Sequence, residues 1–211
     1  NPAYYQDYAT YFVKWVQAFN AEGIDIYAVT PQNEPLNRGN SASLYMSWEE
    51  QRDFVKTALG PKFKTAGLAT KIYAYDHNYD YSDIATEKNY PGKMYEDATA
   101  SQYLAGAAYH NYGGNREELL NIHKAYPEKE LLFTETSIGT WNSGRDLSKR
   151  LLEDMKEVAL GTINNWCRGV IVWNLMLDND RAPNREGGCQ TCYGAVDISN
   201  SDYKTCLLYT S

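Results

Sequence analysis

The sequence predicts an α/β protein built on a parallel sheet with helices packed outside it. Five short runs of β-branched or aromatic residues recur along the chain, and each is followed by a helical pattern or a long loop. Such alternation is typical of parallel sheets. No glycine-rich phosphate loop follows any run, which disfavours a doubly wound nucleotide-binding sheet. All five runs instead end in polar or aromatic residues, which favours a (β/α)8 TIM barrel.

Apolar spacing and end signals define the helices. Residues 3–20 place large apolar side chains at a helical period. A Ser-Trp-Glu-Glu capping box at 47–50 opens a second helix, which Gly60 and Pro61 are expected to stop. The other predicted helices lie near 96–104, from 115 to 126 and from 147 to 163.

The predicted strands cover 24–29, 71–75, 105–109, 130–134 and 169–173. A complete barrel needs about 250 residues, so 211 residues with five strands resemble the second half of one. We therefore expect residues 1–205 to form a partial barrel. Residues 206–211 match one reading frame of a common transposase sequencing adaptor, and we expect them to be a non-native tail.

The composition limits the classes of partner that the protein is expected to bind. A net charge of -7 and a pI of about 5.0 argue against nucleic acid and anionic membrane surfaces, because both attract basic faces. No apolar run reaches 18 residues, so we expect no membrane span. The 19 Tyr and 5 Trp suit surfaces that stack on sugars, but tyrosine-rich cores give the same count.

Cys189 and Cys192 form a CxxC pattern inside a glycine-rich loop. Zinc binding is disfavoured, because the three dispersed histidines supply no second ligand pair. A thioredoxin-like role is also disfavoured, because it requires a CxxC at a helix start after a strand. A disulfide within the loop and a pair of free thiols both remain open. We expect neither a metal nor a cofactor.

Two glutamates follow predicted strands. Pro31 and Pro35 keep Asn33 and Glu34 in an extended loop just past the first strand, and Glu135 ends the fourth. Glycoside hydrolysis needs such a pair, one carboxyl to protonate the leaving oxygen and one to attack the anomeric carbon. The acid is expected to have a raised pKa, and Asn33 to hold the sugar 2-hydroxyl. Structural salt bridges are the alternative explanation.

Four strand-end motifs together resemble glycoside hydrolase family 30. They are Thr-Pro-Gln-Asn-Glu-Pro at 30–35, Ala-Tyr-His-Asn-Tyr at 108–112, Thr-Glu-Thr at 134–136 and Val-Trp-Asn-Leu at 172–175. The family has retaining (β/α)8 barrels with an attached β-sandwich, and the resemblance spans nearly all of residues 1–205. It implies that strands four to eight of the barrel are present.

The resemblance also implies roles for individual residues. Glu34 becomes the acid/base and Glu135 the nucleophile, with His110 and Tyr112 beside the nucleophile. Trp173 would lie under the sugar at the point of cleavage. Asp76 and His77 would shape the pocket. Apart from the resemblance, Trp141 lies in a loop at the predicted mouth and suits stacking on a neighbouring sugar, with simple packing of the indole as the alternative. Taken singly, His110 and Trp173 are equally well explained as core residues.

The loop sequences resemble the bacterial β-1,6-glucanase branch of the family most. The expected function is therefore endo-hydrolysis of a β-glucan polysaccharide or oligosaccharide by double displacement, outside the cell, in the periplasm or at the cell surface. Glucosylceramidase-like and xylan-active hydrolases are the alternatives within the family. A metal-dependent barrel hydrolase and a catalytically dead carbohydrate-binding barrel are the alternatives outside it. We expect the 211 residues alone to be inactive and prone to aggregate, because a partial barrel leaves open sheet edges.

Overall fold

A computed structural model describes residues 1–39, 44–184, 186, 188–199 and 202–205. The chain divides into two compact units, Asn1–Leu132 and Phe133–Ser211. The tail expected at 206–211 lies outside the described residues.

The first unit alternates helices with parallel strands. Its helices are 3-10 turns at Pro2–Tyr4, Tyr81–Asp83 and Ala85–Glu87, a π-helical segment at Val55–Leu59, and α1 (Tyr5–Ala21), α2 (Trp48–Phe54), α3 (Gly60–Thr65), α4 (Tyr90–Glu96), α5 (Ala98–Ser101) and α6 (Glu117–Ala125). Its strands are β1 (Ala28–Val29), β2 (Lys71–Asn78), β3 (Leu104–His110) and the first half of β4 (Glu130–Glu135). The strands lie side by side in chain order, and β1–β2 and β2–β3 are parallel, as the sequence predicted.

Tyrosines fill much of the core of this unit. The Tyr75 ring lies 4.9 Å from that of Tyr90 and 5.4 Å from that of Tyr109. Two of these hydroxyls are bonded inside the protein: Tyr75 donates to the Asn78 carbonyl at 2.6 Å, and Tyr90 donates to that of Met46 at 2.9 Å. Buried tyrosines need such partners. Part of the aromatic excess therefore belongs to the core rather than to a sugar-binding surface.

The prediction that Gly60 and Pro61 stop a helix is wrong. The chain passes from α2 through the π-helical segment into α3, and Pro61 lies in the first turn of α3, where no helical N–H partner is required. Gly60 is needed for packing, because a Cβ there would lie 2.2 Å from the Tyr103 ring. The helix predicted at 96–104 is also wrong in its bounds, since α4 and α5 end before Leu104 opens β3.

The observed strands differ in length from the predicted ones, most of all at 24–29 and 71–75. The Ile24 N–H donates to the Phe19 carbonyl at 3.0 Å, so residue 24 belongs to the turn that closes α1, and ladder pairing begins only at β1. Strand β2 instead runs three residues further than predicted, to Asn78. A register shift between Tyr75 and His77, with φ near 75° at Tyr75 and Asp76, marks a bulge in β2.

The second unit contains the end of β4 and the elements that follow. These are α7 (Leu147–Asp154), a π-helical segment at Met155–Ala159, α8 (Leu160–Ile163), β5 (Cys167–Val170), β6 (Met176–Asp178), β7 (Val196–Ser199) and β8 (Asp202–Thr205). The chain just after β5 bonds alongside β4, with Ile171 N–H donating to Phe133 at 2.8 Å. A small sheet of β6, β7 and β8 was not predicted. None of the described helices is long and apolar enough to cross a bilayer.

Candidate active site

The loop after β1 holds Glu34 through its backbone. The Glu34 N–H donates to the Asp76 carbonyl at 2.9 Å, and its own carbonyl accepts from Asn37 N–H at 2.9 Å. Its φ of 49° is unusual for a residue with a side chain, so this backbone is maintained by its surroundings. Only 9% of the residue is exposed. The loop therefore buries one carboxylate at the carboxyl end of a strand, while the preceding Asn33 stays exposed.

Side chains from the same loop and from two strands lie beside the Glu34 carboxylate. Asn37 Nδ2 donates to Oε2 at 2.8 Å, and His110 Nδ1 lies 3.3 Å from Oε1. His77 Nε2 lies 4.0 Å from the same oxygen. The two histidines come from β3 and β2, so neighbouring strand ends converge on this carboxylate as the sequence predicted. Asn37 was not predicted, although its position three residues beyond Glu34 in the same loop makes the contact local.

A second carboxylate orients His110. The imidazole is fully buried, and its Nε2 lies 3.0 Å from Asp76 Oδ1. Thr30 Oγ1 donates to the other Asp76 oxygen at 2.6 Å. Side chains of consecutive strand residues normally point to opposite faces of a sheet. The β2 bulge interrupts this alternation, so that both Asp76 and His77 reach the site. Thr30 was missed, since it marks only the end of a strand in the sequence.

Three proton arrangements satisfy the Asp76–His110–Glu34 row. An imidazolium donates to both carboxylates, or a neutral imidazole donates to one of them and accepts a hydrogen bond from the protonated form of the other, in either tautomer. In each case one proton lies between Glu34 and His110. The row is therefore suited to delivering a proton at the position of Glu34 Oε1.

The pKa of Glu34 lies below its usual value. Burial raises the pKa, but the hydrogen bonds from His110 and Asn37 and the nearby charge of His77 together outweigh burial. The prediction of a raised pKa for this carboxyl is therefore wrong for the protein without substrate. The physical reason is that sequence spacing does not reveal how many donors a buried carboxylate will receive.

His77 and Tyr112 also lie in the group of side chains around Glu34 and His110. His77 is 3% exposed, its Nδ1 has no hydrogen-bond partner among the described residues, and burial lowers the pKa of its imidazole. Tyr112 is 45% exposed, and its ring meets that of His110 edge to face at 6.1 Å. The Tyr112 N–H donates to Asn78 Oδ1 at 3.1 Å, which fixes the turn after β3 to the end of β2.

In the second unit, Glu135 is the last residue of β4 and is half-buried. The chain beyond it pairs with the residues that follow β5: Trp173 N–H donates to Thr136 at 2.8 Å, and Ser137 forms a parallel bridge with Trp173. The Trp173 side chain is 50% exposed. Within this unit, Glu135 and Trp173 therefore lie at the ends of adjacent parallel chain segments.

Trp141 lies in the loop that follows Glu135. A Cβ on Gly139 would stand 1.7 Å from the Trp141 ring, so the indole rests directly on the glycine backbone. Cys189 and Cys192 form a disulfide, which resolves the alternative that the sequence left open, and Cys167 is a buried free thiol.

Parallel strands with helical crossovers, and with carboxylates and histidines at their carboxyl ends, are typical of enzymes built on (β/α)8 barrels. The chain belongs to glycosyl hydrolase family 30: the model of that family's TIM-barrel domain matches residues 1–210. This confirms the predicted fold class and the family resemblance.

Known proteins resemble the chain over most of its length. It is 36% identical to endo-1,6-beta-D-glucanase BGN16.3 of Trichoderma harzianum over 203 residues, which are 93% of this chain and 38% of the relative. It is 29% identical to putative glucosylceramidase 4 of Caenorhabditis elegans over 201 residues, 87% of this chain and 37% of that protein. The solved structure of the endo-beta1,6-glucanase BT3312 is 84% identical with a TM-score of 0.95, over all of this chain and 47% of that one. The chain thus spans less than half the length of these relatives.

Proposed function

We propose that the protein containing these residues is a retaining glycoside hydrolase that cleaves β-1,6-glucan within the chain. The observation that carries the proposal is the buried Glu34 carboxylate, which lies beside a proton-bearing His110 at the end of a strand. The 84% identity to the endo-beta1,6-glucanase BT3312 supports the choice of linkage.

Glu34 acts as the general acid in the first step. It gives its proton to the glycosidic oxygen as the bond to the anomeric carbon breaks, and the freed sugar leaves as an alcohol. The hydrogen bonds from Asn37 and His110 then stabilise the new carboxylate. In the second step Glu34 takes a proton from water as that water attacks.

Glu135 acts as the nucleophile. Its carboxylate attacks the anomeric carbon from the face opposite the leaving oxygen and forms a glycosyl ester, and water then cleaves this ester with a second inversion. Two inversions retain the β configuration of the product.

The remaining predicted residues bind the substrate in this proposal. Asn33, exposed next to Glu34, donates to the 2-hydroxyl of the sugar being cleaved. Asp76, His77 and Tyr112 shape the pocket around Glu34, and Trp173 offers an exposed indole face to the same sugar. Trp141 stacks on a neighbouring sugar unit.

A glucosylceramidase-like activity is the second candidate, favoured by the 29% identity to a putative glucosylceramidase. We place β-1,6-glucan first because the identities to β-1,6-glucanases are higher. We also propose that the protein is exported, since disulfides such as Cys189–Cys192 persist in oxidising compartments.

The test assays the full-length protein that contains these 211 residues on β-1,6-, β-1,3- and β-1,4-glucans, xylan and glucosylceramide, with linkage analysis of the products. We expect soluble β-1,6-linked oligosaccharides whose new reducing ends are first formed in the β configuration, as seen by NMR. Glu135→Gln should abolish turnover. Glu34→Ala should retain cleavage of an aryl glucoside with a good leaving group, which needs no acid, and azide should restore its turnover. Release of the α anomer, or full activity of Glu135→Gln, contradicts the proposal.

A further inference from the structure

The loop that carries the disulfide is bonded to the segment that follows Glu135. Thr140 N–H donates to the Thr191 carbonyl at 3.1 Å, and Tyr193 N–H donates to Ile138 at 2.7 Å. Between these two bonds, Gly139 and Cys192 form an antiparallel bridge. The CxxC loop therefore acts as a short strand paired with residues 138–140.

The disulfide restricts the conformations open to this short strand. Cys189 and Cys192 are only three residues apart, so the bond between them closes a small ring that includes Thr191, whose carbonyl accepts the bond from Thr140. Cys192 is 3% exposed, whereas Cys189 is on the surface. The buried half of the disulfide is the half that pairs with Gly139, and the exposed half is open to a reductant.

Gly139 lies between the CxxC loop and Trp141 and contacts both. A Cβ at Gly139 would lie 2.5 Å from the Thr191 carbonyl oxygen and 1.7 Å from a carbon of the Trp141 ring. The glycine backbone is thus enclosed by the CxxC loop and the indole together. A turn in which Gly144 N–H donates to the Trp141 carbonyl at 2.8 Å fixes the backbone on the far side.

We propose that the CxxC loop is a positioning element that holds Trp141 as a stacking platform for a β-1,6-linked glucosyl unit beside the one being cleaved. This inference rests on the proposed function. Glu135 is fixed by β4 itself, so loosening the CxxC loop changes the binding of long substrates and leaves the chemical step intact. Cys189 and Cys192 act through Trp141 and do not touch the substrate.

The test measures kcat and KM of the full-length protein before and after dithiothreitol. The reagent is oxidised to its cyclic disulfide, while the two cysteines gain two electrons and two protons as thiols. We expect KM for β-1,6-linked gluco-oligosaccharides to rise about 2- to 10-fold, the equivalent of one aromatic stacking contact. The corresponding kcat, and KM for a short aryl β-glucoside, should stay within about twofold.

Matched variants separate the outcomes. Cys189→Ser, which replaces the exposed half of the disulfide, should show the raised KM without reductant and no response to it. Trp141→Ala should also have the raised KM and not respond. An unchanged KM after complete reduction overturns the inference, as does a loss of kcat on every substrate.

A readout without substrate keeps this test apart from the proposed function. Reduction should increase acrylamide quenching of the Trp141 emission, obtained as the difference between the protein and its Trp141→Phe variant. If the oxidised protein leaves β-1,6-glucan intact, the proposed function fails while the quenching experiment still tests the coupling of the disulfide to Trp141. Unchanged quenching overturns the coupling.

Discussion

The two units differ in the contacts that surround the strand end carrying their glutamate. In the first, the Glu34 carboxylate contacts side chains, and a further carboxylate orients one of these, His110. In the second, the chain beyond Glu135 is fixed by backbone bonds to Trp173 and to the CxxC loop. The difference matches the proposed roles. A residue that changes protonation state in each step needs tuned electrostatics, whereas a nucleophile and its sugar-binding loop need a fixed position.

Replacing Asp76 should have the largest effect among the supporting residues. Asp76→Asn removes a charged acceptor from the buried His110 and leaves its Nε2–H poorly satisfied. A hydrogen bond to a charged group contributes about 1.5–3 kcal/mol, so we expect kcat/KM on β-1,6-glucan to fall by about 10- to 100-fold. Asp83→Asn, in an exposed pair with Lys88, is the control and should leave kcat/KM unchanged. Equal losses in the two variants would refute the orienting role.

His110→Phe tests whether the side-chain contacts of the first unit set the pKa of Glu34. Since His110 lowers the pKa of Glu34, removing it should raise that pKa. The protonated acid then persists to higher pH, so the basic limb of the kcat/KM profile should move to higher pH while the maximum rate falls. His123→Gln, on α6, is the control. A basic limb that stays in place or moves to lower pH shows that another group titrates there.

Gly139→Ala tests the backbone contacts of the second unit. The added methyl group meets the Trp141 ring and the Thr191 carbonyl, so the loop must shift. We expect KM for β-1,6-linked oligosaccharides to rise about 2- to 10-fold and the unfolding free energy to fall by about 1–3 kcal/mol. The basic limb of the pH profile should not move. A shifted limb would mean that the loop also sets the protonation of Glu34.

Asn37→Ala should have the smallest effect. It removes one hydrogen bond to the Glu34 carboxylate from an exposed side chain, which contributes about 0.5–1 kcal/mol. We expect kcat/KM to fall by about 2- to 5-fold, and the basic limb to move in the same direction as in His110→Phe but by less. A larger shift than that of His110→Phe would reverse the ranking of the two donors.

The residues of the first unit's site were predictable because of where they lie. Glu34, Asp76, His77 and His110 all follow or end apolar runs, and the carboxyl ends of parallel strands meet at one edge. Their hydrogen-bond pattern was not predictable, because the β2 bulge that re-aims Asp76 and His77 has no glycine or proline to mark it.

Other features depended on partners distant in sequence. Gly60 looked like a helix stop, yet the Tyr103 ring decides its identity, and no local pattern reveals that neighbour. The sheet of β6, β7 and β8 was missed because its strands have three or four residues and β6 and β7 are separated by a polar loop. The disulfide was one of two open alternatives until the loop geometry brought the sulfurs together.

The row of Asp76, His110 and Glu34 has a consequence for turnover. The proton that Glu34 gives to the departing sugar is returned within the same cycle by the attacking water, so no buffer species has to supply it. Between these two steps the His110 imidazole, 3.3 Å away, is in place to stabilise the ionised carboxylate. Turnover should therefore be insensitive to buffer concentration at fixed pH.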